Sequence, residues 1–494
     1  MKKSITLSLI VIALVVSCNY ETKNLDQLIQ DGKLSKAIEL IDLKLENKSK
    51  LSSEEVEALE KKSYDMKRVM YEYTLSYDEV YKQLKTKIPD LSAQDMKEWK
   101  DDYSLEYYLI DGEIKYYYNC ISDLFRVNEK ASKRANLQQN TESNVPNVDY
   151  PLETIQSFDN DSILSKKINI AIRYFQDVKD FPDKSVLRAW IPYVNENKFQ
   201  SNVEIIYSNI NSFELPGKNN LTSMIYFEHI IDHSYNSNSD WVNTFTNPYK
   251  DWIKPMEKPS FVNDSTFVFQ LIYNYDSKGY YKQIKSEKIE PYKKTEADYQ
   301  KYTKETVNKQ FTPYLKKLSQ EIVGKETNDY LKAKKIYEWI CKNIIWTDPK
   351  PVLGDYADYT ARYRRGDCSA KSNLFISLCR INQIPAKKQG GWLVRPNKRH
   401  VQHTWAQAYF EPYGWLPVDV TAGADLINLE DERLKYFYFG NRTPYNLIIY
   451  DDNPVLFPAK KFNCLYGGGA QLGAIEWKNG DIEPYINFDS HIDQ

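Results

Sequence analysis

Gly366-Asp367-Cys368-Ser369-Ala370-Lys371, then Leu374, Phe375, Leu378 and Cys379, then Pro385: the reading of this chain turns on that stretch. The apolar spacing predicts a helix opening at the cysteine. It must close before Pro385, because the residue preceding a proline avoids helical geometry. A cysteine in the first turn meets unpaired backbone N–H groups at the positive end of the helix dipole, which favour a thiolate. Cys379 lies eleven residues further along the same helix. At 1.5 Å rise per residue the two sulfurs stand roughly 16 Å apart, too far for a disulfide. Cys379 therefore reads as buried and structural, and Cys368 as a thiol with no partner nearby.

A thiolate nucleophile needs a base, and the base needs a group that holds its tautomer. His403 heads the strand-like run His403-Thr404-Trp405-Ala406-Gln407-Ala408-Tyr409, and Asp419 follows in Gly414-Trp415-Leu416-Pro417-Val418-Asp419. Adjacent strands would set His403 beside Asp419, with Cys368 across a cleft. In this order Gly366-Asp367-Cys368, Gln383-Ile384-Pro385, His403-Thr404-Trp405 and Gly414-Trp415…Asp419 resemble the transglutaminase-like superfamily over about residues 325 to 440. That resemblance implies a papain-like core with Cys368 as nucleophile, His403 as general base and Asp419 orienting the imidazole. The chain as a whole is similar to lipid-anchored transglutaminase-domain proteins of Bacteroidetes-type bacteria. Two departures stand out. Gln407 occupies a position that is often acidic in the family, and no upstream oxyanion donor is assigned, with Trp346 and Asn343 as candidates beside the Cys368 N–H.

The implied chemistry is thiol acyl transfer on amide bonds of peptides or proteins, expected as hydrolysis, with cell-wall peptide as one candidate substrate and no cofactor or metal. The alternative is an inactive transglutaminase fold that binds peptide or glycan at the cell surface. Removal of Asn-linked glycans is a third possibility with no dedicated sequence support. Arg362, Arg364 and Arg365 before the cysteine, and Lys398-Arg399-His400 before the base, are either a lure for a carboxylate-bearing peptide or a solvated charge run.

Working outward, the expected fold is α+β. Residues 301–445 form the transglutaminase-like domain. Tyr330, Leu331, Ala333, Ile336, Tyr337 and Ile340 outline a helix ending near Asn343, and a polar connection runs from there to Arg365. Residues 151–300 read as a β-sandwich-like domain, with β-branched and aromatic runs at 168–172, 186–191, 203–207 and 267–273 and a long insertion between His229 and Asn263. Forty tyrosines suit sheet packing better than a carbohydrate platform. Residues 18–150 read as a helical region and linker, with S-x-x-E boxes at Ser52/Glu55 and Ser76/Glu79 and a relative at Ser92/Asp95. No chemistry shows on those helices, which read as packing or spacing. Residues 446–494 are expected to stand as a short β tail, with Asn479-Gly480 as a hairpin turn.

At the N-terminus two lysines precede a 12-residue apolar run from Ile5 to Val16, short of the roughly 20 residues a spanning helix needs. Val15-Val16-Ser17-Cys18 resembles a bacterial lipobox. The expectation is a signal peptide over 1–17, lipidation at Cys18 and a cell-envelope protein anchored at the outer membrane or cell surface. Five cysteines then remain, so at least one is unpaired within the chain. Five scattered histidines and the absence of C-x-x-C or H-E-x-x-H give no metal motif. His229 and His233, four apart, could share a helix face but lack a third ligand. With 66 Lys+Arg against 68 Asp+Glu, a net charge of −2 disfavours nucleic-acid binding.

Overall fold

The computed structural model describes residues 24–136, 148–210, 212–217, 221–232, 266–395, 400–453, 456, 458–459, 461, 470–478, 480–482 and 485–492. The signal segment, Cys18, Cys464, Lys398, Arg399, His233, most of the expected linker and the expected insertion beyond residue 232 lie outside the described residues. Among the described residues no helix is long and apolar enough to cross a membrane. The chain divides into two compact units. One comprises Met1–Ser143, Thr306–Gln310 and Ile345–Asp367, and the other the remainder.

In the first unit the predicted caps form. Ser52, Ser76 and Ser92 each accept from the backbone N–H three residues on, and Glu55, Glu79 and Asp95 each reach back to the cap N–H. Leu34, Ala37 and Ile41 line the buried face of the Leu34–Glu46 helix against Met66 and Val69 of Ser53–Glu72. The region is not wholly helical as expected. Strands β1 (Tyr73–Leu75), β2 (Tyr107–Ile110) and β3 (Glu113–Tyr117) make an antiparallel sheet in the order β1-β3-β2. The missed signal is Asp111-Gly112 between two tyrosine-rich runs. Both residues have positive φ, the geometry of a two-residue hairpin turn, and Ile110 pairs with Glu113 across it. The polar connection expected before Arg365 also contains a helix, Tyr356–Tyr363, whose N-cap Asp355 accepts from the Asp358 N–H at 2.9 Å.

The second unit contains strands β4 (Ser165–Asp177), β5 (Val186–Pro192), β6 (Gln200–Ser208), β7 (Met224–Ile230), β8 (Thr266–Lys278), β9 (Ala386–Leu393), β10 (Val401–Phe410), β11 (Gly414–Val418), β12 (Asn446–Asp451), β13 (Ala474–Trp477), β14 (Gly480–Ile482) and β15 (Tyr485–Ile492). Two antiparallel sheets, β15-β4-β8-β6 and β14-β13-β5-β7, share one apolar core. Ile168, Ile170, Ile172 and Tyr174 enter it from alternate positions of β4, as a period of two requires. His229 sits in β7 and stacks on Phe267 at 4.2 Å, so it belongs to a strand and not to a helix.

The β segments expected from residue 446 on join sheets begun earlier in the chain. β12 pairs with β9, β13 with β5, and β15 runs along eight residues of β4. Local periodicity reveals that these segments are strands, but the choice of neighbour depends on which sheet edge is left open.

The third sheet, β11-β10-β9-β12, carries the Cys368–Ile381 helix on β10 and β9. Every residue of that helix from Leu374 to Arg380 is buried. Gly390 and Gly391 let β12 approach β9 closely: a Cβ on Gly391 would lie 1.8 Å from the Leu447 carbonyl oxygen, and one on Gly390 would meet the Tyr450 hydroxyl.

Candidate active site

Cys368 is the first residue of its helix and is partly exposed. Ser372, one turn later, donates to the Thr404 carbonyl at 3.2 Å and ties the helix to β10 beside His403. On β10, His403 and Trp405 share a face, and their rings stack at 5.8 Å. Trp405 is held in turn by its Nε1–H, which donates to Gln389 Oε1 at 2.7 Å. The His-x-Trp spacing thus places a clamped indole against the imidazole.

β10 and β11 pair antiparallel as far as Ala406 opposite Val418, and Asp419 continues from that end. Its Oδ2 lies 2.6 Å from His403 Nε2, while Oδ1 accepts from the backbone N–H groups of Thr421 and Ala422, both at 3.0 Å. Both residues are buried, His403 being 4% and Asp419 6% exposed. With Nε2 engaged, Nδ1 is the ring nitrogen left for another partner. Burial works against the imidazolium. The Asp419 charge and hydrogen bond, followed by a hydrogen bond with the Cys368 side chain, outweigh it and raise the His403 pKa to about 10. For Asp419 burial favours the neutral acid, but the His403 charge and the two backbone N–H donors hold it below its ordinary value.

Two residues near this pair carry no local sequence signal, and a third lies in the cysteine motif itself. Gln471 donates through Nε2 to Thr404 Oγ1 at 2.9 Å and to the His403 carbonyl at 3.3 Å, while its own carbonyl accepts from Trp392 Nε1 at 2.8 Å. Tyr450 closes the same group through Thr404 Oγ1 at 3.2 Å. Lys371, buried one turn after Cys368, has its ammonium form disfavoured by burial, with Cys341, Asp425, Asp419 and Cys368 acting in the opposite sense. Its position in the quoted Gly366–Lys371 stretch could have drawn notice, but exposure is the ordinary expectation for lysine.

The other sequence candidates make contacts of their own. Asn343 donates its side-chain amide to the Trp339 carbonyl at 2.8 Å, one turn back in its own helix. Trp346 belongs to the first unit, where the Arg126 guanidinium lies 4.8 Å over its ring. Arg362 binds Asp358, and Arg365 binds Glu106, so two of the three arginines before the cysteine are engaged with carboxylates. His400 lies 3.1 Å from Ser490 Oγ, with burial lowering its pKa. Gln407, the departure from the family pattern, is buried, and its Oε1 has no hydrogen-bond partner among the described residues. Cys120, Cys341 and Cys379 are buried free thiols, each pushed up by burial, Cys120 to about 12. No group of three potential metal ligands occurs among the described residues.

Residues 316–420 match the transglutaminase-like superfamily, the segment that contains Cys368, His403 and Asp419. The chain is 29% identical to an uncharacterized protein of Haemophilus influenzae over 25% of its own length, and it spans 40% of the length of that curated relative. Among solved structures it is similar to a candidate cysteine protease from Cytophaga hutchinsonii, with TM-score 0.40 and 17% identity over 66% of this chain and 91% of that one. It is also similar to the periplasmic domain of TgpA from Pseudomonas aeruginosa, with TM-score 0.25 and 13% identity over 54% and 90% of the two chains.

Proposed function

We propose that the transglutaminase-like domain at residues 316–420 is a thiol acyl-transfer enzyme that hydrolyses amide bonds of peptides or proteins. The observation that carries this reading is the buried His403–Asp419 pair at 2.6 Å, with helix-opening Cys368 among the groups that favour the charged imidazole. In the proposed reaction Cys368 Sγ attacks the amide carbonyl carbon. The tetrahedral intermediate collapses with loss of the amine, which takes its proton from His403, and a thioester remains. Water, deprotonated by His403, attacks the thioester, releases a carboxylic acid and returns the proton to the thiol. Asp419, with Oδ1 pinned by two backbone N–H groups, keeps the ring oriented throughout. A primary amine in place of water would give crosslinking from the same thioester.

The test is turnover of a fluorogenic peptide-amide panel that includes cell-wall peptides, run alongside thermal melting. Cys368→Ala is expected to abolish thioester formation. Asp419→Asn is expected to stay folded and lose roughly 10²–10⁴-fold in rate, because an amide can hold the ring in the wrong tautomer. Full turnover in a folded Cys368→Ala variant would overturn the reading of Cys368 as nucleophile, and no turnover by wild type across the panel would leave the binding module.

The N-terminal pattern supports a second element of the proposal: the mature chain is tethered to a bacterial envelope membrane by lipid on Cys18, with the enzyme on the far side of the membrane that it crosses on export. Wild-type protein should partition with membranes, and Cys18→Ala should release it or stall its processing. Recovery of wild-type protein in the soluble fraction with a free Cys18 thiol would contradict the anchor.

A further inference from the structure

The segment that matches the superfamily ends at residue 420, yet a residue fifty positions further on bonds the backbone of the proposed base. β10 pairs with β11 from Phe410 back to Ala406 and no further. The stretch 403–405, which carries the imidazole, is therefore laddered to β9 alone among the described residues. A strand paired on one side depends on side chains or water to satisfy its other backbone groups and to hold it still. Side chains fasten this one. Ser372 Oγ donates to the Thr404 carbonyl at 3.2 Å. Gln471 Nε2 donates to the His403 carbonyl at 3.3 Å and to Thr404 Oγ1 at 2.9 Å.

Gln471 is itself held on every side. It is buried, and its backbone carbonyl accepts from Trp392 Nε1 at 2.8 Å, while the Trp392 ring stacks on Phe488 of β15 at 4.4 Å. The carbonyl of the next residue, Leu472, accepts from the Tyr174 hydroxyl of β4. Gly473 then turns the chain with φ +71, where a Cβ would lie 2.0 Å from the Trp190 carbonyl oxygen, so glycine lets the chain pass β5 on its way into β13. The Gln471 amide also donates to the Tyr450 hydroxyl at 3.3 Å. The ionisable groups that act on the imidazole are Asp419 and Cys368, and Gln471 bonds neither of them. It bonds the backbone that carries the ring. A buried amide with three acceptors is costly to leave unpaired and is not what apolar packing calls for. What it offers is fixed geometry, and a catalytic group held to within about 0.5 Å needs such support.

We propose that Gln471 is a positioning residue for His403. By tying the one-sided end of β10 to a segment anchored on β4, β5 and β9, it fixes where the imidazole meets Cys368. The last quarter of the second unit thus takes part in the site and does more than complete its sheets. This rests on the reading of His403 as the base for Cys368, but its test does not need turnover.

In the full-length protein, the second-order rate of Cys368 alkylation by iodoacetamide, followed by mass spectrometry across pH 5–9, reports that placement. At pH 6 the rate reads the help the thiol receives from the neighbouring imidazole. At pH 9 a cysteine ionises unaided, and the rate reads access alone. Gln471→Met, similar in length but without the amide, should alkylate at least about tenfold more slowly at pH 6, as misplacement of a reacting group by 1 Å can cost that much, and approach wild type at pH 9. Tyr450→Phe, which spares both the His403 and the Thr404 bonds of Gln471, should keep the wild-type profile. A control for general destabilisation is Asn209→Ala, which removes a side-chain amide bonded at 2.8 Å to the Val268 carbonyl and to the Gln270 N–H in the sandwich. It should lower the melting temperature and leave the profile unchanged. The proposal is overturned if folded Gln471→Met stays within about threefold of wild type at pH 6. Equal slowing at pH 6 and pH 9, or the same change in Asn209→Ala, overturns it as well. Should Gln471→Met not fold, Gln471→Asn decides in its place, since the shorter side chain withdraws the donor from the His403 carbonyl, and an unchanged profile there overturns the proposal. Wild-type Cys368 no more reactive at pH 6 than an unassisted thiol would defeat the reading of the Cys368–His403 pair and this proposal with it. An enhanced wild-type rate that survives in Gln471→Met defeats this proposal alone.

Discussion

At the scale of single residues, the site's behaviour with pH follows from a coupled pair. Burial opposes charge on His403, but Asp419 and Cys368 more than compensate, so its folded pKa stands near 10, above the ordinary value of about 6.5. A group raised in this way stabilises the fold fully below its unfolded pKa, and that contribution is lost as pH climbs towards 10. Asp419 is depressed below 3.8, so its contribution is present above that value and is lost as the pH falls through the folded pKa. Urea titrations should therefore find wild type most stable relative to His403→Ala near pH 6, with the difference shrinking steadily by pH 10. A difference independent of pH over that interval would mean that the imidazole is not held charged. The residues themselves were legible. A cysteine behind Gly-Asp at a helix start, His-x-Trp and a later Gly-Trp…Asp form an ordered pattern with few structural explanations. Gln471 and Tyr450 were not legible, because each acts through a hydrogen bond to a residue distant in sequence and neither sits in a local motif.

At the scale of elements, capping chemistry and periodicity read well and partner choice did not. The three serine boxes and the Asp329–Asn343 and Cys368–Ile381 helices follow from short-range rules: a side-chain oxygen within three residues, an apolar stripe, a proline beyond the end. β1 to β3 leave little trace in the sequence, because tyrosine-rich segments between strong helices lack a clear period. β15 shows what pairing adds. Its Asp489 lies 2.8 Å from Arg173, a β4 side chain 1% exposed, and Asn487 contacts the same guanidinium at 2.6 Å. Asp489→Ala should destabilise the second unit by about 1–3 kcal/mol. That is less than a fully buried pair would cost, because Asn487 remains and the carboxylate is partly exposed. Chemical denaturation with an unchanged m-value would verify it, and a midpoint equal to wild type would show that the strand is held without the ion pair.

At the scale of the molecule, the two units are interlaced along the chain, since the first takes back residues 306–310 and 345–367 from the sequence that otherwise builds the second. A fragment of residues 24–136 would lack Lys350 and Arg365 and would bury Glu106 and Asp123 without their main cations. Removing one partner of a buried pair costs about 3–5 kcal/mol, comparable to a small domain's whole stability. The fragment should therefore show no cooperative melting at neutral pH, and a sharp two-state transition would refute the dependence. From the sequence by itself came the α+β class, the helix that opens at Cys368, the order of the three candidate site residues and the helix caps, all governed by contacts a few residues apart or by a short ordered pattern. Only the tertiary structure decided that the last strands complete earlier sheets and that a carboxylate near residue 100 grips the segment ahead of Cys368. Open sheet edges and buried charges take whichever complementary group folding brings to them, and neither leaves a mark on the neighbouring residues from which it could be read.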